Sequence, residues 1–136
     1  MQEAKSSSTS ATPMNRNYVT DPLFPECPIR NILSHIGEKW TLLVLLVLSE
    51  STGCMRFGQI ARAIPDVSQR MLTATLRALE ADGLVSRKVY PQVPLRVEYA
   101  LTGRARTLIP LINQLVQWSI DNYKGIIEDR KRFVVR

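Results

Sequence analysis

Residues 68–84, SQRMLTATLRALEADGL, decide the fold. Ser68 is a preferred helix N-cap and Gly83 a preferred stop, so the segment reads as one complete helix. At 100° per residue, Leu72, Leu76 and Leu79 fall within about 60° of one another, while Arg70, Ala74, Arg77 and Ala81 fall on the opposite side. One face is therefore core. The other presents long basic side chains separated by small ones, a surface that lets something flat and negatively charged come close.

Working upstream, Phe57, Ile60, Ala61 and Ile64 recur at helical spacing until Pro65 ends the run, and Asp66-Val67-Ser68 reads as a turn. Before Gly53, the stretch Leu42–Leu48 (LLVLLVL) follows Trp40 and is apolar all round, which predicts a helix buried on every side and packed against a partner subunit as well as its own core. An earlier helix is expected to start at Pro28, with Cys27 as its N-cap, and to end near Gly37. Downstream of Gly83 the period changes to two. Val85 and Val89 alternate with Ser86 and Lys88, and Leu95, Val97, Tyr99 and Leu101 alternate with Arg96, Glu98 and Ala100, across a stiff Pro91-Gln92-Val93-Pro94 tip. That is a two-stranded hairpin. Thr102 then caps a final helix carrying two apolar stripes, one through Leu108, Leu111, Leu115 and Trp118 and another through Ile109, Ile112, Val116, Ile120 and Tyr123, wide enough to cover two surfaces. Pro110 lies inside this helix and is expected to kink it.

The expected fold class is mainly α with a small β-hairpin. A short helix, a turn, a helix with a basic outer face and a basic hairpin follow in the order of a winged helix-turn-helix, flanked by N- and C-terminal helices to which the family resemblance given below assigns dimerisation. Charge supports the reading. The 136 residues hold 18 Lys plus Arg against 12 Asp plus Glu, a net charge of +6. Residues 1–55 carry four basic and five acidic groups, residues 56–106 nine and four, and residues 107–136 five and three. The excess thus sits in the folded middle block, where a phosphate-bearing partner would meet it. A helix fits the DNA major groove, and an arginine fork matches guanine O6 and N7. Ser68, Gln69, Arg70 and Thr73 occupy the leading turn, Arg77 follows on the same face, and Arg87, Lys88 and Arg96 of the hairpin are placed to meet the phosphate backbone or minor groove. The competing reading is an amphipathic helix and hairpin with merely solvated charges.

The strings CPIRNILSHIGEKWTLLVLLVL and RFGQIARAIPDVSQRMLTATLRALEADGLVSRKVYPQVPLRVEYALT resemble the HxlR family of winged helix-turn-helix transcriptional regulators over about residues 27–124. The resemblance implies a homodimer, held by its terminal helices, on a two-fold symmetric operator of double-stranded DNA. Two positions depart from the family pattern: Leu95 stands where a second wing proline is usual, and the glycine after the last strand is shifted to Gly103.

Cys27, at a helix N-cap with Arg30 one turn on, is in a setting that favours thiolate. The resemblance implies that a cysteine at this place senses oxidants or electrophiles such as quinones, and Cys54 is the expected resolving partner. The alternative function is a small Cys-dependent redox enzyme, but Cys27 has only Glu26 and Arg30 beside it locally. A dimerisation module without DNA would leave the outward arginines unexplained. His35 lacks a second histidine or carboxylate pair, Cys27 and Cys54 lack metal-ligand spacing, and no phosphate-binding glycine loop occurs, so neither metal nor cofactor is expected. Trp40, Trp118 and Tyr123 either belong to the core or line an effector pocket near the dimer interface. Residues 1–22 are expected to form a flexible tail and residues 23–136 the folded domain. No apolar run reaches the ~18 residues of a membrane helix and no secretory signal is visible, so a cytoplasmic protein without a membrane partner is expected.

Overall fold

The computed structural model describes residues 27–135; the expected tail over residues 1–22 lies outside them. Within them the chain divides into two compact units, parted between Glu38 and Lys39.

In the first unit, helix α1 spans Ile29–Ile36. Pro28 is already helical at φ −62°, ψ −31°, and the Asn31 N–H donates to the Cys27 carbonyl at 3.0 Å, so Cys27 takes the N-cap position that the proline implies. One feature was not expected: Ile29–Leu33 is wound as a π-turn, and only Ser34–Ile36 is regular α-helix. The Cys27 side chain is fully buried.

The second unit starts with α2, Lys39–Ser49. Its apolar run is only partly covered within one chain: Val44, Leu45 and Leu48 are buried, whereas Leu42, Leu43, Leu46 and Val47 are half-buried. A two-residue strand β1, Met55–Arg56, leads directly into α3, Phe57–Ala63. At the end of α3, Ile64 is pushed out of helical geometry (φ −127°, ψ 78°) as the residue before Pro65. Helix α4, Gln69–Ala81, follows, and then strands β2, Val85–Tyr90, and β3, Arg96–Leu101. Helix α5, Gly103–Val135, closes the chain; its 33 residues extend about 50 Å, far past the sheet.

The expected hairpin gains a third strand, since β1 pairs antiparallel with β3 in the order β1-β3-β2. Register alternation sorts the sheet's side chains into two sets. Val85↔Leu101, Arg87↔Tyr99 and Val89↔Val97 share one face, and Ser86↔Ala100, Lys88↔Glu98 and Tyr90↔Arg96 share the other. The expected core alternation along β2 fails at its outer half: Val85 is buried, but Val89 is 41% exposed because the hairpin runs beyond the helices.

The α4 stripe of Leu72, Leu76 and Leu79 is buried, joined by Thr75. It packs with α2 and β2, while α2 also contacts α3, α5 and β3. Each fully buried leucine side chain contributes about 1.5–3 kcal/mol. Termination of α4 follows a Schellman pattern: Leu84 N–H donates to Leu79 O at 2.9 Å and Gly83 N–H to Glu80 O at 3.0 Å, with Gly83 at φ +73°. Thr102 fastens this corner to α5. Its hydroxyl donates to Gly83 O at 2.6 Å and accepts from Ala105 N–H at 3.3 Å.

One stripe of α5 is exposed from Leu111 onward, while the other keeps cover through Ile112 and, in part, Val116. Ile112 is buried, but Leu111, Leu115, Trp118, Ile120 and Tyr123 are each more than half exposed. Trp118 and Tyr123 are therefore not core residues of the single chain.

Candidate nucleic-acid interface

Helix α4 is set on the molecule's surface by its two ends. At the start, Ser68 Oγ accepts the Met71 N–H at 3.0 Å, so the expected cap forms and the Ser68 hydroxyl is committed to it. Thr73 Oγ1 donates to the Gln69 carbonyl at 2.9 Å, leaving only its acceptor capacity outward. With the leucine stripe turned in, Gln69, Arg70, Thr73 and Arg77 are all exposed. Across the turn, Gln59 Oε1 accepts the Arg56 N–H at 2.8 Å and fixes the start of α3. The result is two short-linked helices with the second presenting an unobstructed basic face.

The three hairpin cations do not act together. Arg87 lies on the sheet face turned to α4, where Arg87 and Tyr99 join Thr73, Leu76, Arg77 and Glu80 around a groove of about 420 Å³. Lys88 and Arg96 lie on the opposite face by register. Arg96 is further withdrawn: its Nε lies 3.4 Å from Glu98 Oε2 and its guanidinium carbon 3.9 Å from the Tyr90 ring centroid. That nitrogen is shut off from solvent without a hydrogen bond, so charge and stacking hold it. Lys88 Nζ stands 5.0 Å from the same ring. Of the expected phosphate contacts, Arg87 and Lys88 are exposed, whereas Arg96 is a half-buried brace of the hairpin.

Sequence reasoning missed Glu98, Tyr90, Tyr99 and Glu80. Glu98 sits opposite both Arg56 and Lys88, and its other oxygen accepts the Cys54 thiol hydrogen at 3.2 Å. This bond holds the Glu98 carboxyl below its ordinary range, with Arg96, Tyr90 and Arg56 adding to the effect against some desolvation. The same bond, with desolvation and the carboxylate charge, pushes the Cys54 thiol up, against the opposing pull of Arg96 and Arg56. Cys54 is exposed, but its surroundings favour thiol over thiolate, the reverse of what a resolving nucleophile needs. Counting back from a Pro91–Pro94 tip would set Lys88 opposite Val97; the loop also takes in Leu95, which shifts the register by one and pairs Lys88 with Glu98, and the approach of Cys54 depends on β1, too short to leave a periodic signal.

Among the described residues, no group of three or more His, Cys, Asp or Glu side chains is placed to hold a metal ion, and no single helix is long and apolar enough to cross a membrane.

A helix-turn-helix with an adjoining three-stranded wing and an outward basic second helix defines a transcriptional regulator of the winged helix-turn-helix class. The chain belongs to the HxlR-like helix-turn-helix family, whose model matches residues 35–126. A curated relative, an uncharacterised HTH-type transcriptional regulator of Methanothermobacter thermautotrophicus, is 48% identical over 92 residues, covering 68% of this chain and 69% of that protein. YybR of Bacillus subtilis, also named an HTH-type regulator, is 40% identical over 114 residues, 78% of this chain and 90% of its own. Among solved structures, the redox regulator HypR in its oxidised form superposes with a TM-score of 0.63 at 45% identity, covering 71% of this chain and 97% of that one. The reduced form of YodB from B. subtilis superposes with 0.60 at 32% identity, covering 73% and 92%. These relatives are regulators, not enzymes, which decides against a Cys-dependent redox enzyme.

Proposed function

We propose that the chain binds operator DNA in the cytoplasm as a homodimer. In each subunit Gln69, Arg70 and Thr73 read base edges in the major groove, and Arg77, Arg87 and Lys88 contact phosphates. Ser68 serves by shaping the helix start, and Arg96 by stiffening the wing. The observation that carries this reading is the division of α4, whose leucines are buried while Gln69, Arg70, Thr73 and Arg77 stand free on one surface. Affinity would come chiefly from phosphates and specificity from base edges. The test uses a duplex selected by repeated enrichment on the full-length protein. Arg70→Ala is expected to weaken that duplex by about 1–3 kcal/mol and relax preference at one base pair per half-site, whereas Lys88→Ala weakens selected and random duplexes alike and lowers the salt slope by about 1. Identical behaviour of the two variants on both duplexes would overturn the division of roles.

Redox control through Cys27 is the regulatory part of the proposal. Its support is likeness: HypR is a redox regulator solved in oxidised and reduced forms, and YodB was solved after diamide treatment. Cys27 is fully buried, so an oxidant or quinone reaches it only when the start of α1 opens. The raised pKa of Cys54 argues against its part as the resolving thiol. Titration of operator binding with diamide is expected to release wild type and Cys54→Ser but not Cys27→Ser. An equal response in Cys27→Ser would remove this cysteine from regulation.

A further inference from the structure

The groove between α4 and the wing has a chemistry that DNA contact does not use up. Its walls carry Arg77 from α4 and Arg87 from β2, its floor is the half-buried Tyr99 ring over the buried Leu76, and Glu80 and Thr73 complete it. Neither guanidinium has an ion-pair or hydrogen-bond partner among the described residues, and Glu80, three residues after Arg77, forms no ion pair with it. A phosphodiester satisfies the two arginines but leaves the Tyr99 ring idle and is repelled by Glu80. Two cations, an aromatic ring and a carboxylate around one groove suit a molecule with an anionic end, a flat hydrocarbon body and a hydrogen-bond donor. About 420 Å³ is within the range of small-ligand sites.

We propose that this groove is an effector site for a small amphipathic carboxylate, such as an aromatic acid bearing a hydroxyl or amine. The carboxylate lies between Arg77 and Arg87, where guanidinium forks pair with it through charge-assisted hydrogen bonds. The ring covers Tyr99. The donor reaches Glu80 or the outward lone pairs of Thr73, whose own hydrogen is already given to Gln69. The proposal rests on the DNA-binding reading in one respect: an occupied groove occupies Arg77 and Arg87, so ligand and DNA exclude one another, and by linkage each weakens the other by the same factor.

The experiment titrates 4-hydroxybenzoate into the full-length protein by calorimetry without DNA. Saturable binding is expected with a Kd of about 0.1–1 mM, reasonable for a ligand of about ten heavy atoms. Arg77→Ala and Arg87→Ala should each weaken it by about tenfold or more, and Arg62→Ala, on α3, should leave it unchanged. Phenol, which lacks the carboxylate, and inorganic phosphate, which lacks the ring, should both bind far more weakly. Absence of saturable binding, equal binding by the arginine variants, or phosphate binding as tightly as 4-hydroxybenzoate would each overturn the site. A second arm adds 4-hydroxybenzoate to the selected-duplex complex, where release in proportion to occupancy is expected. Binding in calorimetry without release would overturn the mutual exclusion, and failure of the DNA reading would appear separately as a wild type that selects no duplex.

Discussion

A single carboxylate, that of Glu98, accepts the Cys54 thiol hydrogen at 3.2 Å on one oxygen and faces Arg96 Nε at 3.4 Å on the other. It joins the segment leading into β1 to β3 and keeps Arg96 stacked on Tyr90. The consequence of this half-buried pair is positional, because it removes Arg96 from the free cations of the wing and makes Cys54 a hydrogen-bond donor.

Cys54 should therefore react slowly for an exposed thiol. Alkylation by iodoacetamide at pH 7.5 is expected to be slower at Cys54 than at the cysteine of an unstructured peptide, and Glu98→Gln should accelerate it by releasing the raised pKa. Peptide mapping of the alkylated protein separates Cys54 from Cys27. A faster reaction in wild type than in Glu98→Gln would show that the thiol–carboxylate bond does not govern this cysteine.

The same pair predicts two opposite limbs of stability against pH. Glu98 has a lowered pKa in the folded state, so its contribution is complete above the ordinary value of 4.5 and is lost as pH falls through the depressed one. Cys54 has a raised pKa, so its contribution is complete below the ordinary value of 9.0 and is lost as pH rises through the raised one. Chemical denaturation across pH should show a shallower acid limb in Glu98→Gln and a shallower alkaline limb in Cys54→Ser. Parallel curves for wild type and both variants would contradict the shifts.

Gly83 ends α4 with φ +73°, and a Cβ there would stand 2.7 Å from Arg104 Nη1, which itself donates to Asp82 O at 3.1 Å. Gly83→Ala should destabilise the fold by about 1–2 kcal/mol from the left-handed backbone alone. A control at Gly103, where an added Cβ meets nothing within 4 Å, avoids both penalties. Urea midpoints measure both variants. A Gly83→Ala protein as stable as wild type would mean that the corner relaxes without cost.

Local chemistry made much of this legible in the sequence. Ser68 and Thr102 cap helices through hydroxyls that accept an N–H three residues on, Gly83 acts through its own φ and Pro65 through its ring, so these roles could be read without knowing the tertiary fold, and the leucine stripe of α4 needed only helical geometry; the bond from Thr102 to Gly83 could not. What escaped depends on partners far along the chain. β1 is two residues long and exists because β3 offers it an edge. Val89 has the alternation of a core residue but lies where the hairpin has outrun the helices. Arg96 reads as one more wing cation until Glu98 and Tyr90, brought beside it by strand register, claim it. Arg87 and Lys88, adjacent in sequence, point to opposite faces for the same reason.

Helix α5 supplies the last prediction. Leu111, Leu115 and Trp118 fall on one stripe by i, i+4, i+7 spacing and are 57%, 65% and 59% exposed, and Ile120 and Tyr123 are exposed on the second stripe. Isolated surface apolar residues are ordinary, but a contiguous stripe of this length marks an interface. Joined in a homodimer, two such helices bury the stripe, and the half-buried side of α2 indicates that the single chain leaves further apolar surface to cover. Stability should then depend on protein concentration, because the folded subunit is drawn into the dimer by mass action. The midpoint of thermal unfolding is expected to rise with concentration from about 1 to 100 μM in wild type. Leu115→Glu, which places a charge at the centre of the stripe, should sediment as a monomer, unfold at a lower temperature, and lose the affinity gained by engaging two half-sites together. Gln117→Glu, on an exposed site about 120° around the helix from Leu111, adds the same charge off the stripe and should remain a dimer. A compact wild-type monomer at micromolar concentration with a concentration-independent midpoint would show that α5 does not hold two subunits together.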